Sequence, residues 1–190
     1  MVANLAHRLL SFEEYLVYSD TTDNRYELVD GVPVAMTPPL ISHLDIAKFL
    51  ERCFDQEIQR LELPWRCYRE AGLRVGVRKS RIMDICVIEK QYVDALRTAG
   101  SAAVFENPPK LVVEIVSPES IRRDYRHKRS EYAAVEVPEY WIADPLENKV
   151  SILSLEEGLY EAREFVGSQP VASRIFPELE LTAERILKTE

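Results

Sequence analysis

Asp84, read as near the end of the strand-like apolar run RIMDICVIE, and Glu114, inside KLVVEIVSP, are two acids set among apolar residues. A carboxylate in such a run is costly to bury unless something compensates it, and perturbed acids of this kind concentrate at functional sites. Two carboxylates with an ammonium nearby are the minimal set for metal-assisted cleavage of a phosphodiester. Magnesium prefers oxygen ligands, and one or two carboxylates with substrate phosphate and water suffice to hold it. A bound ion would offset the repulsion between the acids, lower the pKa of a coordinated water and stabilise charge on the pentacovalent transition state.

The ammonium is missing from the nearest position. Side chains alternate along a strand, so the residue sharing a face with Glu114 is Val116. The basic segment RRDYRHKR follows, and Lys128 has a long stem that reaches Glu114 if the helix after Pro118 folds back over the strand. Asp124, four residues earlier on the same helix face, could equally hold Lys128 in an ordinary surface pair. Arg122, Arg123, Arg126, Lys128 and Arg129 form either a solvated helix face or, beside a metal site, the place where phosphates are held. Arg74, Arg78, Lys79 and Arg81 would extend that patch.

These groups need a scaffold. Ser11 and Glu14 have the form of a capping box that opens a helix over roughly 11 to 18. Asp30-Gly31 sits between strand-like runs as the turn of a hairpin, which places Glu27 on a hairpin strand. Glu27 is then either a metal-site acid or a cross-strand partner for a basic residue. Leu44, Ala47, Leu50, Phe54, Ile58 and Leu61 recur as the buried stripe of a helix over 42 to 61, opened by His43, whose position fits a cap as well as a site role.

WRCYRE, GLRVGV and RIMDICVIE follow as a meander of short strands with Asp84 at its end, and 90 to 108 as a short helix and loop. LVVEIVS reads as a central strand covered on both faces. Ser120 caps a helix to about Val135, with Ile121, Tyr125, Tyr132 and Val135 on its apolar stripe. EYWIAD is a further strand, with Tyr140 and Trp141 packing the core rather than stacking on bases. A terminal hairpin around Glu156 to Leu159 and a short last helix complete the chain. The pattern is α/β (α+β), a mixed central sheet flanked by helices with an N-terminal and a C-terminal hairpin, in one domain over 1–190.

The bulk numbers agree with that reading. A net charge of −8 and a pI near 5.1 speak against a protein that coats nucleic acid through bulk charge, leaving room for a local basic patch. Cys53, Cys67 and Cys86 are widely spaced among apolar residues and read as reduced core thiols. No secretory pattern is evident, and no apolar run approaches the roughly 20 residues that span a bilayer, so a cytoplasmic location with no membrane partner is expected.

YELVDG, the helix opening with His43, MDICV, PPKLVVEIVSPES, RRDYRHKRSEY and EYWIADP come in an order and spacing that resembles the Uma family of restriction endonucleases, a branch of the PD-(D/E)XK nuclease superfamily. The likeness covers almost the whole chain. It implies a restriction-endonuclease-like core in which Asp84 and Glu114 hold a divalent ion, magnesium with manganese as a substitute. The main-chain carbonyl of Ile115 would be a third ligand, Lys128 the lysine displaced from strand to helix, and Glu27 an acid near the same site. DNA as substrate and a homodimer as assembly are further implications. Met83 stands where the family has a proline before the aspartate, and Val116 where the strand lysine would be.

The reading is therefore a magnesium-dependent endonuclease hydrolysing DNA through a metal-activated water. The alternatives are a nuclease-fold binding or regulatory module without turnover, and a metal-dependent hydrolase of small phosphoesters.

Overall fold

The computed structural model describes residues 8–188; His7, for which the sequence offers no site context, lies outside them. The capping box is formed: Glu14 N donates to Ser11 Oγ and Ser11 N to Glu14 Oε2, opening α1 (Phe12–Leu16), shorter than the run expected. Strands β1 (Tyr26–Val29) and β2 (Val32–Ala35) pair antiparallel around Asp30 and Gly31. The φ angles of those two residues, 51° and 86°, are the left-handed values that a tight hairpin turn requires.

Helix α2 (Ile41–Arg60) buries Ile46, Ala47, Leu50, Cys53, Phe54 and Ile58. Leu61, expected on that stripe, falls just past the last turn and is 38% exposed. WRCYRE and GLRVGV are not two strands but one, β3 (Trp65–Gly76), which pairs along its length with β4 (Lys79–Glu89). The segment after it forms α3 (Lys90–Ala99) and the short strand β5 (Val104–Phe105).

Strand β6 (Leu111–Ile115) is buried at every position. The helix that follows is not a plain α-helix: Arg123–Lys128 is a π-helical turn, continued by α4 (Arg129–Ala134). Ser120 does not cap it as expected, because its hydroxyl accepts from Ser117 N, and Ile121 is 45% exposed rather than part of the stripe. Strands β7 (Glu139–Asp144), β8 (Lys149–Glu156) and β9 (Leu159–Val166) and helix α5 (Ala183–Leu187) complete the chain.

Among the described residues nine strands form one mixed sheet, its main path running β2-β1-β4-β6-β7-β8-β9 with β3 paired to β4 and β5. Only β6 with β7 and β3 with β5 are parallel. Each face has its own core. Helices α2 and α5 pack on one, over Ile85, Val87, Val113 and Trp141; α3 and α4 cover the other, where Val93 and Tyr132 meet Cys86, Val112 and Tyr140. The fold is thus the mixed α/β arrangement expected, with both hairpins in place. The three cysteines are buried and unpaired, as read from their apolar settings.

Candidate active site

Asp84 does not lie at a strand end. It is in the middle of β4, at the point where that strand changes its facing. Ile85 and Val87 join the core under α2, while Cys86 and Ile88 join the opposite one; strict alternation would put Met83 with Ile85, yet it packs with Cys86. Across β3 the same change separates Cys67 from Ala71, and between them Glu70 takes a φ of 59°, left-handed for a residue with a side chain. Local irregularity of this kind recurs next to active sites, where it re-aims a side chain.

The second edge of β4 is shared. Ser80 pairs with β1 and Ile85 to Val87 pair with β6, so Ile82 lies in the gap between two neighbouring strands. Side chains complete the ladder there: Glu27 Oε1 accepts from Ile82 N at 3.1 Å, and Lys128 Nζ donates to Ile82 O at 3.3 Å. Asp84 crosses the same gap, its Oδ2 accepting from Ile115 N at 2.7 Å. Its Oδ1 lies 3.2 Å from His43 Nε2 on the first turn of α2.

Glu114 points to the α4 face, because Val113 and Ile115 on either side belong to the other core. It is buried, and both of its oxygens are engaged: Tyr132 Oη donates to Oε1 at 2.5 Å, and Lys128 Nζ lies 2.6 Å from Oε2. Lys128 is itself only 2% exposed. The π-helical turn carries it inward, and the helix folds back over the strand. Glu27 Oε1 at 3.6 Å and Asp124 Oδ1 at 3.8 Å complete an acidic shell around the ammonium. The Asp124–Lys128 pair therefore exists, but deep inside the protein and not on its surface.

This crowding sets the protonation. Burial works against the charged form of Lys128, but the charges of Glu114, Glu27, Asp124 and Asp84 outweigh it and raise its pKa above the ordinary value. Burial pushes the Glu114 carboxyl well above the ordinary range, with Asp84 and Asp124 adding to the effect and Lys128 opposing it. Asp124 is pushed up mainly by burial. Burial also works against ionised Asp84, yet the His43 hydrogen bond, the Lys128 charge and the Ile115 N–H together bring its pKa below the ordinary value.

Asp84, Glu114, Ile115, Lys128, His43 and Arg123 line one cleft of about 660 Å³, walled by Met36 to Leu40 and by Arg25 and Arg69. No group of three His, Cys, Asp or Glu side chains among the described residues is arranged to hold an ion. A magnesium-type site needs none, since one or two carboxylates with water and phosphate suffice. Each carboxylate oxygen carries two lone pairs, so Glu114 keeps acceptor capacity beside Tyr132 and Lys128. Asp84, Glu114 and the Ile115 carbonyl are all hard oxygen donors, a set that fits magnesium or manganese.

Several expectations change. Arg81 is not part of a phosphate-binding patch: it is 3% exposed, donates to Glu27 Oε2 at 2.9 Å and forks onto Glu131 at 2.7 and 2.9 Å. Glu27 accordingly has the cross-strand basic partner that was one of its two readings. Arg74 and Lys79 are paired too, with Glu106 and Asp30. Arg122 and Arg126 are exposed and outside the cleft lining, which Arg123 alone of the three reaches. Sequence reasoning missed Tyr132 as a partner of Glu114, although its place four residues after Lys128 puts both on one helix face. It also missed Arg25, Arg69 and the Arg25–Glu70 ion pair at the cleft.

No helix of the described residues is long and apolar enough to cross a membrane. Compared with solved structures, the chain is similar to the crystal structure of a "putative nuclease belonging to DUF820" from Anabaena variabilis ATCC 29413. The TM-score is 0.78 at 19% identity, covering 94% of this chain and 97% of that one. At that identity the likeness speaks to the fold, a restriction-endonuclease-like one. No curated protein matches. The family model Uma2, described as "Putative restriction endonuclease", matches residues 12–184, and the chain belongs to that family.

Proposed function

We propose that the protein is a divalent-metal-dependent endonuclease that hydrolyses DNA phosphodiester bonds, acting as one domain over 1–190, as a homodimer and in the cytoplasm. The observation that carries this reading is the buried Lys128 ammonium 2.6 Å from Glu114, in the same cleft as Asp84, in a chain of restriction-endonuclease family. Asp84, Glu114 and the carbonyl of Ile115 would hold magnesium, with manganese as a substitute. What the ion supplies when bound is Lewis acidity, toward both the attacking water and the charge developing on phosphorus.

The protein's own groups do the rest. The acids around Lys128 favour its charged form, which suits it to orient the water and to place positive charge beside the transition state. His43 fixes the Asp84 carboxylate through Oδ1 while Ile115 N fixes Oδ2. Glu27 orders the site from behind, on Ile82 and Arg81. Arg123, at the cleft wall, would meet a phosphate, and Arg122 and Arg126, exposed outside the cleft, would meet the DNA backbone only beyond it. A homodimer would bring two such clefts to the two strands of a duplex.

The test is cleavage of plasmid and single-stranded DNA by the purified protein with magnesium or manganese, alongside Asp84→Asn and Glu114→Gln. Chelator-sensitive cutting that disappears in both variants is expected; cutting that persists in both would remove this site from the reaction. A second reading is favoured by Val116 at the strand-lysine position and by the closure of Glu114 on Lys128: a nuclease-fold module that binds DNA without turnover. Binding with no cleavage under either metal would select it.

A further inference from the structure

Lys128 has three N–H donors, and only two acceptors take them at hydrogen-bond distance, Glu114 Oε2 at 2.6 Å and Ile82 O at 3.3 Å. Two more carboxylate oxygens stand just beyond. Glu27 Oε1, at 3.6 Å, already accepts from Ile82 N, and its other oxygen takes Arg81. Asp124 Oδ1, at 3.8 Å, is different: it is buried and receives no hydrogen bond, alone in this among the buried carboxylate oxygens of the described residues. A buried acceptor without a donor is rare and calls for a reason.

Asp124 lines the cleft with Lys128, and both belong to one π-helical turn. Such turns are uncommon and recur at functional sites. Glu114 has two calls on the same oxygen if, as the reading above holds, it is also a metal ligand. When Oε2 turns to a cation, the ammonium loses its shortest partner while remaining buried, which is strongly unfavourable. We propose that Asp124 is the alternate seat of the Lys128 ammonium, a positioning residue that holds it in the cleft beside Asp84 whenever Glu114 lets it go. The inference rests on the proposed metal site, but its consequence can be read without metal.

Glu114→Gln supplies the metal-free case. The amide keeps an acceptor for Tyr132 and can present its NH2 to the ammonium, driving Lys128 toward Asp124. Equilibrium unfolding in urea of the wild type, Asp124→Asn, Glu114→Gln and the double variant closes a double-mutant cycle. In the wild-type background Asp124→Asn should change the unfolding constant by less than about threefold, since the oxygen it replaces accepts no hydrogen bond and makes only long contacts, 3.8 Å to Lys128 Nζ and 3.9 Å to Arg123 Nε. In the Glu114→Gln background it should lower stability by about tenfold or more, the scale of a hydrogen bond to a charged group. Equal effects in both backgrounds would overturn the proposal.

A spectroscopic signature separates positioning from generic support. The ¹⁵N–¹H signal of the Lys128 ammonium should persist in Glu114→Gln and vanish by exchange with water in the double variant; its survival in the double variant would contradict Asp124 as the seat. If Glu114→Gln does not fold, Glu114→Asp takes its place, withdrawing the carboxylate from the ammonium while keeping the charge. Manganese that fails to bind strikes the metal reading and leaves the cycle to decide this one. Manganese bound with Nζ still on Glu114 and no closer to Asp124 strikes this one alone.

Discussion

Lys128 Nζ and Glu114 Oε2 stand 2.6 Å apart with both side chains 2% exposed, an ion pair formed from a strand and the turn of a helix that folds back on it. A buried pair is poor evidence of net stabilisation, because desolvating both ions can cost more than their attraction returns; breaking it, however, leaves an uncompensated charge. Lys128→Met should therefore destabilise by about 3–5 kcal/mol in urea denaturation. Without the ammonium, Glu114 and Asp124 titrate still higher in the folded state. The folded variant then retains protons that the unfolded chain loses near pH ~4.3, so its stability should fall further as pH rises above that value.

Tyr132 is the other half of the Glu114 clasp. Tyr132→Phe removes the donor to Oε1 and leaves that oxygen buried without one, an expected loss of about 1–3 kcal/mol. The measurement is the urea midpoint at unchanged slope. A shift within error would mean that Glu114 has another donor there.

His43 Nε2 lies 3.2 Å from Asp84 Oδ1, and both residues line the cleft. Partners that orient a ligand typically contribute 10–100-fold to metal affinity or activity, so His43→Ala should weaken manganese binding by about that factor. Isothermal titration of the two proteins reads it directly.

The same titration has a pH dependence with a defined sign. Burial raises the Glu114 pKa, so below the raised value a proton competes with the cation for that carboxylate. Affinity for manganese should climb as pH rises through that value, with proton release on binding that fades above it. Asp84, whose pKa is lowered, is ionised earlier and adds nothing over that range. Affinity independent of pH from mildly acidic to neutral would exclude Glu114 as a ligand.

How much of this was legible in the sequence depended on how local the cause was. The Asp30-Gly31 turn, the Ser11 cap and the stripe of α2 follow from a few adjacent residues, and they form, although at the two ends of the stripe Leu44 is only half-buried and Leu61 falls past the helix. Glu114 among apolar residues announced a buried acid, and the reach of a lysine stem made Lys128 its candidate partner. The π-helical turn, which carries both Asp124 and Lys128 into the interior, had no sequence sign.

The break in β4 was equally hidden. It depends on Glu70 adopting a left-handed φ, which sequence reading reserves for glycine or asparagine. Arg81 looked like any exposed strand arginine, since its acids lie 54 and 50 residues away in sequence, in Glu27 and Glu131. Burial of a charge is a statement about distant partners, and alternation along one strand cannot supply it.

The most direct test of a cation held between strand and helix is anomalous diffraction from crystals soaked in manganese. A peak within bonding distance of Asp84, Glu114 and the Ile115 carbonyl is the expected result. A well-ordered cleft with Glu114 closed on Lys128 and no peak, at manganese concentrations that support cleavage by the same protein, would contradict the account.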